Sequence, residues 1–220
     1  MLRLNVFKHV HNALRAMLYD TGKYIQRTNL SQPYQSEKAL EKLEQVVEIF
    51  EGHASVEDNI VFPHIQEFAP EVVADFEQQH VIDTQLSHAL TSMIASCRLA
   101  TTHQERLVCW IKLLHDFNEF IAFNLQHMNK EEVQINQVLW DHYTDEEIRQ
   151  IMTRINKSIP PAKSEPVIRW MLRGNSNEDL ADWLEFVKDN APADRFPDIC
   201  RLAQEELGVN DWEEVHGPLV

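Results

Sequence analysis

Apolar residues recur at intervals of three and four along four long segments of this 220-residue chain. On a helix, this spacing forms one apolar stripe that must be buried against another element. The joints between the segments are short, so successive helices should run antiparallel. The pattern therefore predicts an all-α protein built on an antiparallel up-and-down four-helix bundle. Its predicted helices are Asn5–Arg27, Ser36–Phe62, Pro70–Thr101 and Gln104–Asp141.

The chain after the fourth segment has a different character, with shorter helices and more prolines. Thr144-Asp145-Glu146-Glu147 has the form of a capping box, which opens a helix that Pro160-Pro161 ends. Three further helices are predicted at about Pro166–Leu172, Asn177–Lys188 and Asp194–Leu207, with Gly208 after the last. We therefore predict a bundle domain at 1–142 and a helical extension at 143–220, which packs on the bundle or forms a small subdomain.

Charge and apolar runs exclude several classes of protein. The formal net charge of −15 disfavours nucleic acid and anionic membranes as partners, since both attract basic surfaces. No segment approaches the roughly 20 apolar residues of a membrane span, and the N-terminus lacks the apolar run of a signal peptide. The three cysteines share no close spacing, so we expect small core residues in a reducing cytoplasm.

Two stretches of the predicted bundle repeat a layout of histidine and glutamate. His53 precedes Glu57, and His127 precedes Glu131, by four residues, and a second carboxylate follows each glutamate. Residues four apart lie on the same helix face, so each pair could bind a metal ion. The spacing alone does not identify ligands, because two further pairs share it, namely His115/Glu119 and His142/Glu146.

The distance of each candidate from the end of the bundle separates ligands from other residues. In an up-and-down bundle, the first and third helices begin at the end where the second and fourth helices finish, so early residues of the former lie beside late residues of the latter. At 1.5 Å per residue, His11 and His80 lie roughly 9 and 14 Å from the shared end. The two histidine–glutamate pairs lie between about 8 and 21 Å from it, and the remaining histidines lie elsewhere. The predicted metal ligands are the six polar residues on apolar stripes at this height: His11, His53, Glu57, His80, His127 and Glu131.

The number and type of these groups limit which metal ions could bind there. Burying ionised carboxylates costs several kcal/mol each unless they are paired or bind a cation, which disfavours a metal-free polar core. Four imidazoles and two carboxylates are more ligands than one tetrahedral zinc ion takes, and calcium and magnesium prefer oxygen ligands. If both glutamates bridge two ions that also share a solvent bridge, each ion has five ligands and one open position. We therefore predict a non-haem di-iron site, which two manganese ions would also fit.

At this point the sequence resembles the hemerythrin-like, or HHE cation-binding, family over roughly residues 1–142. The matching pieces are His11-Asn12-Ala13-Leu14-Arg15, HASVEDNIVFP (53–63), EQQH (77–80) and HMNKEE (127–132). The resemblance implies a four-helix bundle with an oxo- or hydroxo-bridged di-iron centre and these six ligands.

The resemblance also points to differences from the oxygen carriers of that family. Those carriers have a fifth histidine one turn from another on the third helix, where this chain has Thr84 and Phe76. The pattern is closer to bacterial di-iron proteins that repair iron–sulfur centres and handle nitric oxide, but it lacks their cysteine-bearing N-terminal segment. Appended segments in the family suggest a protein partner for residues 143–220.

Three functions are compatible with such a site. The first is binding or sensing of oxygen, nitric oxide or peroxide at the open iron position. The second is an enzyme that reduces peroxide or nitric oxide, or repairs iron–sulfur centres, with the same ions. The third is an interaction protein whose metal is structural or absent. No catalytic residue is assigned.

Overall fold

The computed structural model describes residues 3–192 and 195–217. These residues form helices and no strand, so the predicted all-α bundle fold is confirmed. A π-helical turn at Glu57–Val61 follows the second helix. The α-helices are α1 (Lys8–Arg27), α2 (Pro33–Val56), α3 (Phe62–Ile65), α4 (Pro70–Leu99), α5 (His103–His142), α6 (Asp145–Ser158), α7 (Pro161–Gly174), α8 (Asn177–Asn190), α9 (Arg195–Glu206) and α10 (Val209–His216).

The chain divides into two compact units. One is Leu18–Leu139, and the other combines Met1–Met17 with Trp140–Val220. The predicted domain limits, 1–142 and 143–220, stay a prediction. Every helix in the described part of the chain is too short or too polar to cross a bilayer.

Polar contacts fix the antiparallel course of the helices in the unit Leu18–Leu139. The indole Nε1 of Trp110, early in α5, donates to the carbonyl of Ile25 at the end of α1, at 3.2 Å. Arg98, at the end of α4, donates to Glu37 at 2.9 Å near the start of α2, and also bonds Glu44. Early residues of one helix thus meet late residues of its neighbour, as an up-and-down order requires.

The predicted apolar stripes form the core of this unit. On α4 and α5 the predicted inward positions are buried: Val73, Phe76, Leu90, Ile94, Leu113, Phe117 and Phe120. The polar residues predicted on the same stripes are buried with them. Helical spacing alone therefore predicted these two inner faces except at Val138, which was predicted on the same face of α5 and is only half-buried.

The predicted limits of the second helix were wrong at both ends. It begins at Pro33 and not at Ser36. Proline is favoured at the first helical position, because the N–H of that position has no partner within the helix and proline has no N–H to leave unsatisfied. At the other end the helical course continues past Phe62 to Ile65.

The π-helical turn explains why Pro63 does not end this course. Pro63 cannot donate a hydrogen bond, and its ring would clash with a carbonyl one turn earlier in a regular α-helix. Here the N–H of Phe62 instead bonds the carbonyl of Glu57, five residues back. The extra residue rotates the apolar stripe, so that Val61 is buried, whereas Ile60, which continues the three-and-four spacing of α2 from Glu57, is only half-buried.

The other unit contains the predicted capping box. The backbone N–H of Thr144 donates to Glu147 Oε2 at 2.8 Å, and the N–H of Glu147 donates to Thr144 Oγ1 at 3.3 Å. This box opens α6 as predicted. The next helix begins at Pro161, well before the predicted Pro166, and Gly208 also precedes α10, which was not predicted. The predicted start of α9 at Asp194 lies outside the described residues.

Within this unit the end of α7 lies close to the first half of α1. Asn175 Nδ2 donates to the carbonyl of His9, and Asn12 Nδ2 donates to Asn175 Oδ1, each at 3.0 Å. A Cβ added to Gly174 would lie 2.7 Å from the carbonyl oxygen of Asn12 and 2.9 Å from Ala16 Cβ. Only a glycine therefore fits at this contact.

The structure brings two of the three cysteines together, which their spacing did not predict. The thiol of Cys97 on α4 interacts with that of Cys109 on α5. Burial raises the pKa of Cys97 to about 12, and Cys109 contributes to the shift. Cys97 is a buried core residue as expected, whereas Cys109 and Cys200 are half-buried.

We expect Gly174→Ala to lower the free energy of unfolding by about 1–3 kcal/mol, because a backbone carbonyl would have to move. Urea denaturation of the full chain measures this change. The matched control is Gly52→Ala on α2, where an added Cβ meets nothing within 4 Å. The control should stabilise the chain by about 0.5–1 kcal/mol through helix propensity alone. Equal effects of the two substitutions would contradict the close contact.

Candidate metal centre

Four predicted ligands converge inside the unit Leu18–Leu139. Glu57, His80, His127 and Glu131 are all buried, and each offers one ligand atom within 4.8 Å of the others. They come from the π-helical turn, α4 and α5. Backbone segments that are far apart in sequence thus present two imidazoles and two carboxylates to one small volume.

The two carboxylates are shared between histidines on different segments. His53 Nε2 lies 3.0 Å from Glu57 Oε1, while His80 Nε2 lies 3.3 Å from Glu57 Oε2. His127 Nε2 lies 3.0 Å from Glu131 Oε1, and His80 Nε2 lies 4.0 Å from the same oxygen. Each glutamate therefore lies between histidines, as a bridging ligand would.

His11 belongs to the other unit, where it lies on α1 and is fully buried. Its ring stacks on Phe7 with centroids 4.8 Å apart. Its role as a sixth ligand stays a prediction.

Hydrogen bonds at the Nδ1 atoms orient two of the imidazoles. His80 Nδ1 lies 2.7 Å from Asp58 Oδ1, and His127 Nδ1 lies 3.2 Å from Gln79 Oε1. Gln79 in turn donates its Nε2 to Asp75 at 2.7 Å, which leaves Gln79 Oε1 towards the ring. Since both partners accept, each Nδ1 carries a proton, and each Nε2 can present a lone pair to the cluster once it has no proton of its own. This is the arrangement that metal-ligating histidines need.

Aromatic rings enclose the same imidazoles. Phe62 stacks on His80 at 5.4 Å between centroids, and Phe123 stacks on His127 at 5.8 Å. Phe76 meets His127 edge to face at 5.6 Å. These contacts restrict ring rotation and keep water away from the carboxylates, so the donor atoms are held in place before any ion binds.

Burial and neighbouring charges shift the pKa values of the groups in this cluster in opposite directions. Burial raises the pKa of Glu131 well above its usual value, and the charge on Glu57 raises it further. Burial would lower the pKa of His80, but Glu57 and Asp58 outweigh it and raise that pKa to about 9. Burial lowers the pKa of His127 to about 4, despite the opposing charge of Glu57. A cation would favour the deprotonated form of every group at once.

The donor set fits a transition-metal centre. Imidazole suits iron, zinc and copper, while carboxylates suit harder ions and can bridge two of them. The residues predicted to lie off the site are indeed outside it: His115, Glu119, His142 and Glu146 are exposed. Thr84, at one position of the missing fifth histidine, donates its hydroxyl to the carbonyl of His80 at 2.9 Å.

Comparison with known proteins agrees with this geometry. The model of the hemerythrin HHE cation-binding domain matches residues 3–139, which is more than half of the chain. The chain belongs to the hemerythrin HHE cation-binding family. The family match and the buried histidine–glutamate cluster together identify a metal-binding protein.

One curated protein is similar in sequence to most of this chain. Zinc finger protein BRUTUS-like of Arabidopsis thaliana is 22% identical over 196 residues, which cover 84% of this chain and 15% of the relative. This hemerythrin chain thus spans well under a fifth of the length of that protein. No solved structure matches the chain significantly.

Sequence reasoning missed the residues that support the ligands. Asp58 was noted only as a second carboxylate, and no role was predicted for Gln79. Their contacts depend on how the segments around Glu57 and His80 are rotated, and the π-helical turn changes that rotation. Pro63, five residues after Asp58, was the sequence signal for such an irregularity.

Asp58→Ala should weaken metal binding about 10- to 100-fold, because His80 would lose the acceptor that fixes its tautomer. Competition against a chromophoric chelator measures the affinity. Glu51→Gln, an exposed carboxylate on the preceding helix, is the matched control and should leave the affinity unchanged. A wild-type affinity in Asp58→Ala would show that His80 does not depend on this bond.

Metal binding near pH 7 should release protons, because His80, with a pKa of about 9, holds a proton in the metal-free cluster and the raised pKa of Glu131 favours its protonated form. The affinity should therefore fall as the pH is lowered. Calorimetric titrations in two buffers with different ionisation enthalpies measure the release. A binding enthalpy that is independent of the buffer would contradict this charge assignment.

Proposed function

We propose that this chain is a non-haem di-iron protein that binds a small molecule at an open iron position. The ligand would be oxygen, nitric oxide or peroxide. The observation that carries the proposal is the pair of buried carboxylates, Glu57 and Glu131, each of which lies between histidines on different segments. Two shared carboxylates suit two neighbouring ions.

The cluster suggests how the ligands are divided. His80 and His127 would bind one ion together with both glutamates, since these four groups lie within 4.8 Å of one another. His53 would bind the second ion with the same glutamates, and the predicted ligand His11 would complete it. Dimanganese is compatible with the same donors.

The protein groups would perform three tasks at this centre. Bound iron supplies Lewis acidity and one-electron chemistry. Asp58 and Gln79 hold two imidazoles in the binding tautomer, while the phenylalanine rings exclude water. Phe76 and Thr84 stand where oxygen carriers of the resembled type have a further histidine, so one coordination position is left to ligands. This favours sensing or reaction over stable oxygen carriage.

Residues 143–220 are the part of the chain for which we propose a protein partner. The described helices of this region pack on one another and on the first half of α1 within their own unit. A partner that binds there would contact helices that do not supply the glutamate bridges.

Elemental analysis of the full chain should find about two irons per chain, as expected for a dinuclear carboxylate site. The double variant His80→Ala/His127→Ala should lose the iron. His88→Ala/His115→Ala removes two exposed histidines from the same two helices and should keep it. Addition of oxygen or nitric oxide should change the visible spectrum of the wild-type and control proteins only.

Two results would contradict the proposal. One is full iron content in His80→Ala/His127→Ala with an unchanged circular dichroism spectrum. The other is a wild-type spectrum that responds to neither gas. The circular dichroism spectrum also shows whether loss of iron reflects loss of the fold.

A further inference from the structure

The first half of α1 is enclosed by protein on its polar side as well as on its apolar side. Over residues 9–18 every side chain is buried or half-buried, whereas Tyr19, the next residue, is 58% exposed. A helix at a protein surface normally keeps its polar face in water. The polar residues of this half-helix are covered instead, and the predicted iron ligand His11 lies among them.

Asn175, the residue that follows α7, makes the polar contact that covers this face. Its Nδ2 donates to the carbonyl oxygen of His9 at 3.0 Å and to that of Met171 at 2.9 Å. Its Oδ1 accepts a hydrogen bond from Asn12 Nδ2 at 3.0 Å. Carbonyl oxygens can only accept, so both fix the Asn175 nitrogen on their side. The amide thus bonds α1 just before and just after His11.

Gly174 brings the backbones of α7 and α1 together at the same place. A Cβ added there would lie 2.7 Å from the carbonyl oxygen of Asn12 and 2.9 Å from Ala16 Cβ. One turn before Asn12, Lys8 pairs with Asp179 on α8. Since Lys8, Asn12 and Ala16 are four residues apart, they lie on one face of α1. The helical extension therefore contacts this face over about two turns.

The segment that leads into α1 is held in the same unit. Trp140 Nε1 donates to the carbonyl oxygen of Leu4 at 2.7 Å, and Arg3 Nε donates to Asp145 Oδ1 at 2.7 Å. These bonds come from the junction of α5 and α6, whereas those of Asn175 come from the junction of α7 and α8. Two separate parts of the C-terminal region thus fix where α1 begins and how it is rotated.

We propose that the helical extension positions His11 for the metal, with Asn175 as the positioning residue. Each residue of a helix advances by about 1.5 Å and turns by about 100°, so bonds at His9 and Asn12 set both the height and the direction of His11. This inference rests on the proposed di-iron function, in which His11 and His53 bind the second ion. Loss of the contact with Asn175 would weaken binding of that ion and leave the first ion in place.

Iron titrations of the full chain against a chromophoric chelator test this role. In Asn175→Ala the affinity for one of the two irons should fall about tenfold, because His11 would lose the bonds that orient its backbone. The affinity for the other iron should not change. Asn190→Ala is the matched control, because Asn190 is exposed at the end of α8 and its Nδ2 also donates to a carbonyl four residues earlier. This control should bind both irons as the wild type does.

A double-mutant cycle with His11→Ala distinguishes positioning from a general loss of stability. If Asn175 acts through His11, Asn175→Ala should cause no further loss of iron affinity in a chain that already carries His11→Ala. A purely structural effect would lower the affinity by the same factor in both backgrounds. Circular dichroism spectra of the metal-free variants show whether each one is folded.

Hydrogen exchange of the wild-type chain tests the same coupling without a substitution. Coupling between two sites is reciprocal, so iron binding should strengthen the contact that positions His11. The amide protection of residues 171–179 should therefore rise when the full chain is loaded with iron. The rise should be absent in His11→Ala.

The outcomes separate this inference from the proposed function. Wild-type affinities in Asn175→Ala, equal losses in both backgrounds, or unchanged protection in the iron-loaded wild type would each overturn the positioning role and leave the di-iron function standing. Tight binding of two irons by His11→Ala would have the same meaning. A wild-type chain that takes up no iron would overturn the di-iron function and this inference with it.

Discussion

Two carboxylates buried among imidazoles are the constraint on which the bundle depends. Glu57 and Glu131 are almost completely shielded from solvent, and an ionised carboxylate is costly in such surroundings. Protonated histidines offset this cost for only part of the cluster, because the pKa of His80 is about 9 whereas that of His127 is about 4. A cation relieves the whole cluster together. The helices that carry these groups are therefore also the helices whose packing a metal ion would consolidate.

Much of this organisation could be predicted from the sequence. Helical spacing predicts which faces of α4 and α5 are buried, since each residue repeats the same small rotation. Height in an up-and-down bundle then predicts that His53, His80 and His127 lie in one layer with the glutamates. Both inferences use only regular helix geometry, and the structure brings these residues together.

The remainder could not be predicted because it depends on departures from regular geometry. The turn at Glu57–Val61 adds a residue to the helix and changes the rotation of everything after it. The acceptors for His80 and His127, and the contact of Cys97 with Cys109, depend on side-chain directions between segments. Spacing within one segment carries no information about those directions.

Asp58 has a property that the other residues of the centre lack. Its carboxylate bonds a buried imidazole, yet 44% of that side chain is open to solvent. Anything at the surface that neutralises or withdraws this carboxylate would change the electron donation of His80 without entering the centre. Through Asp58, ions in the surrounding solution can therefore act on the buried site, so its properties can depend on ionic strength.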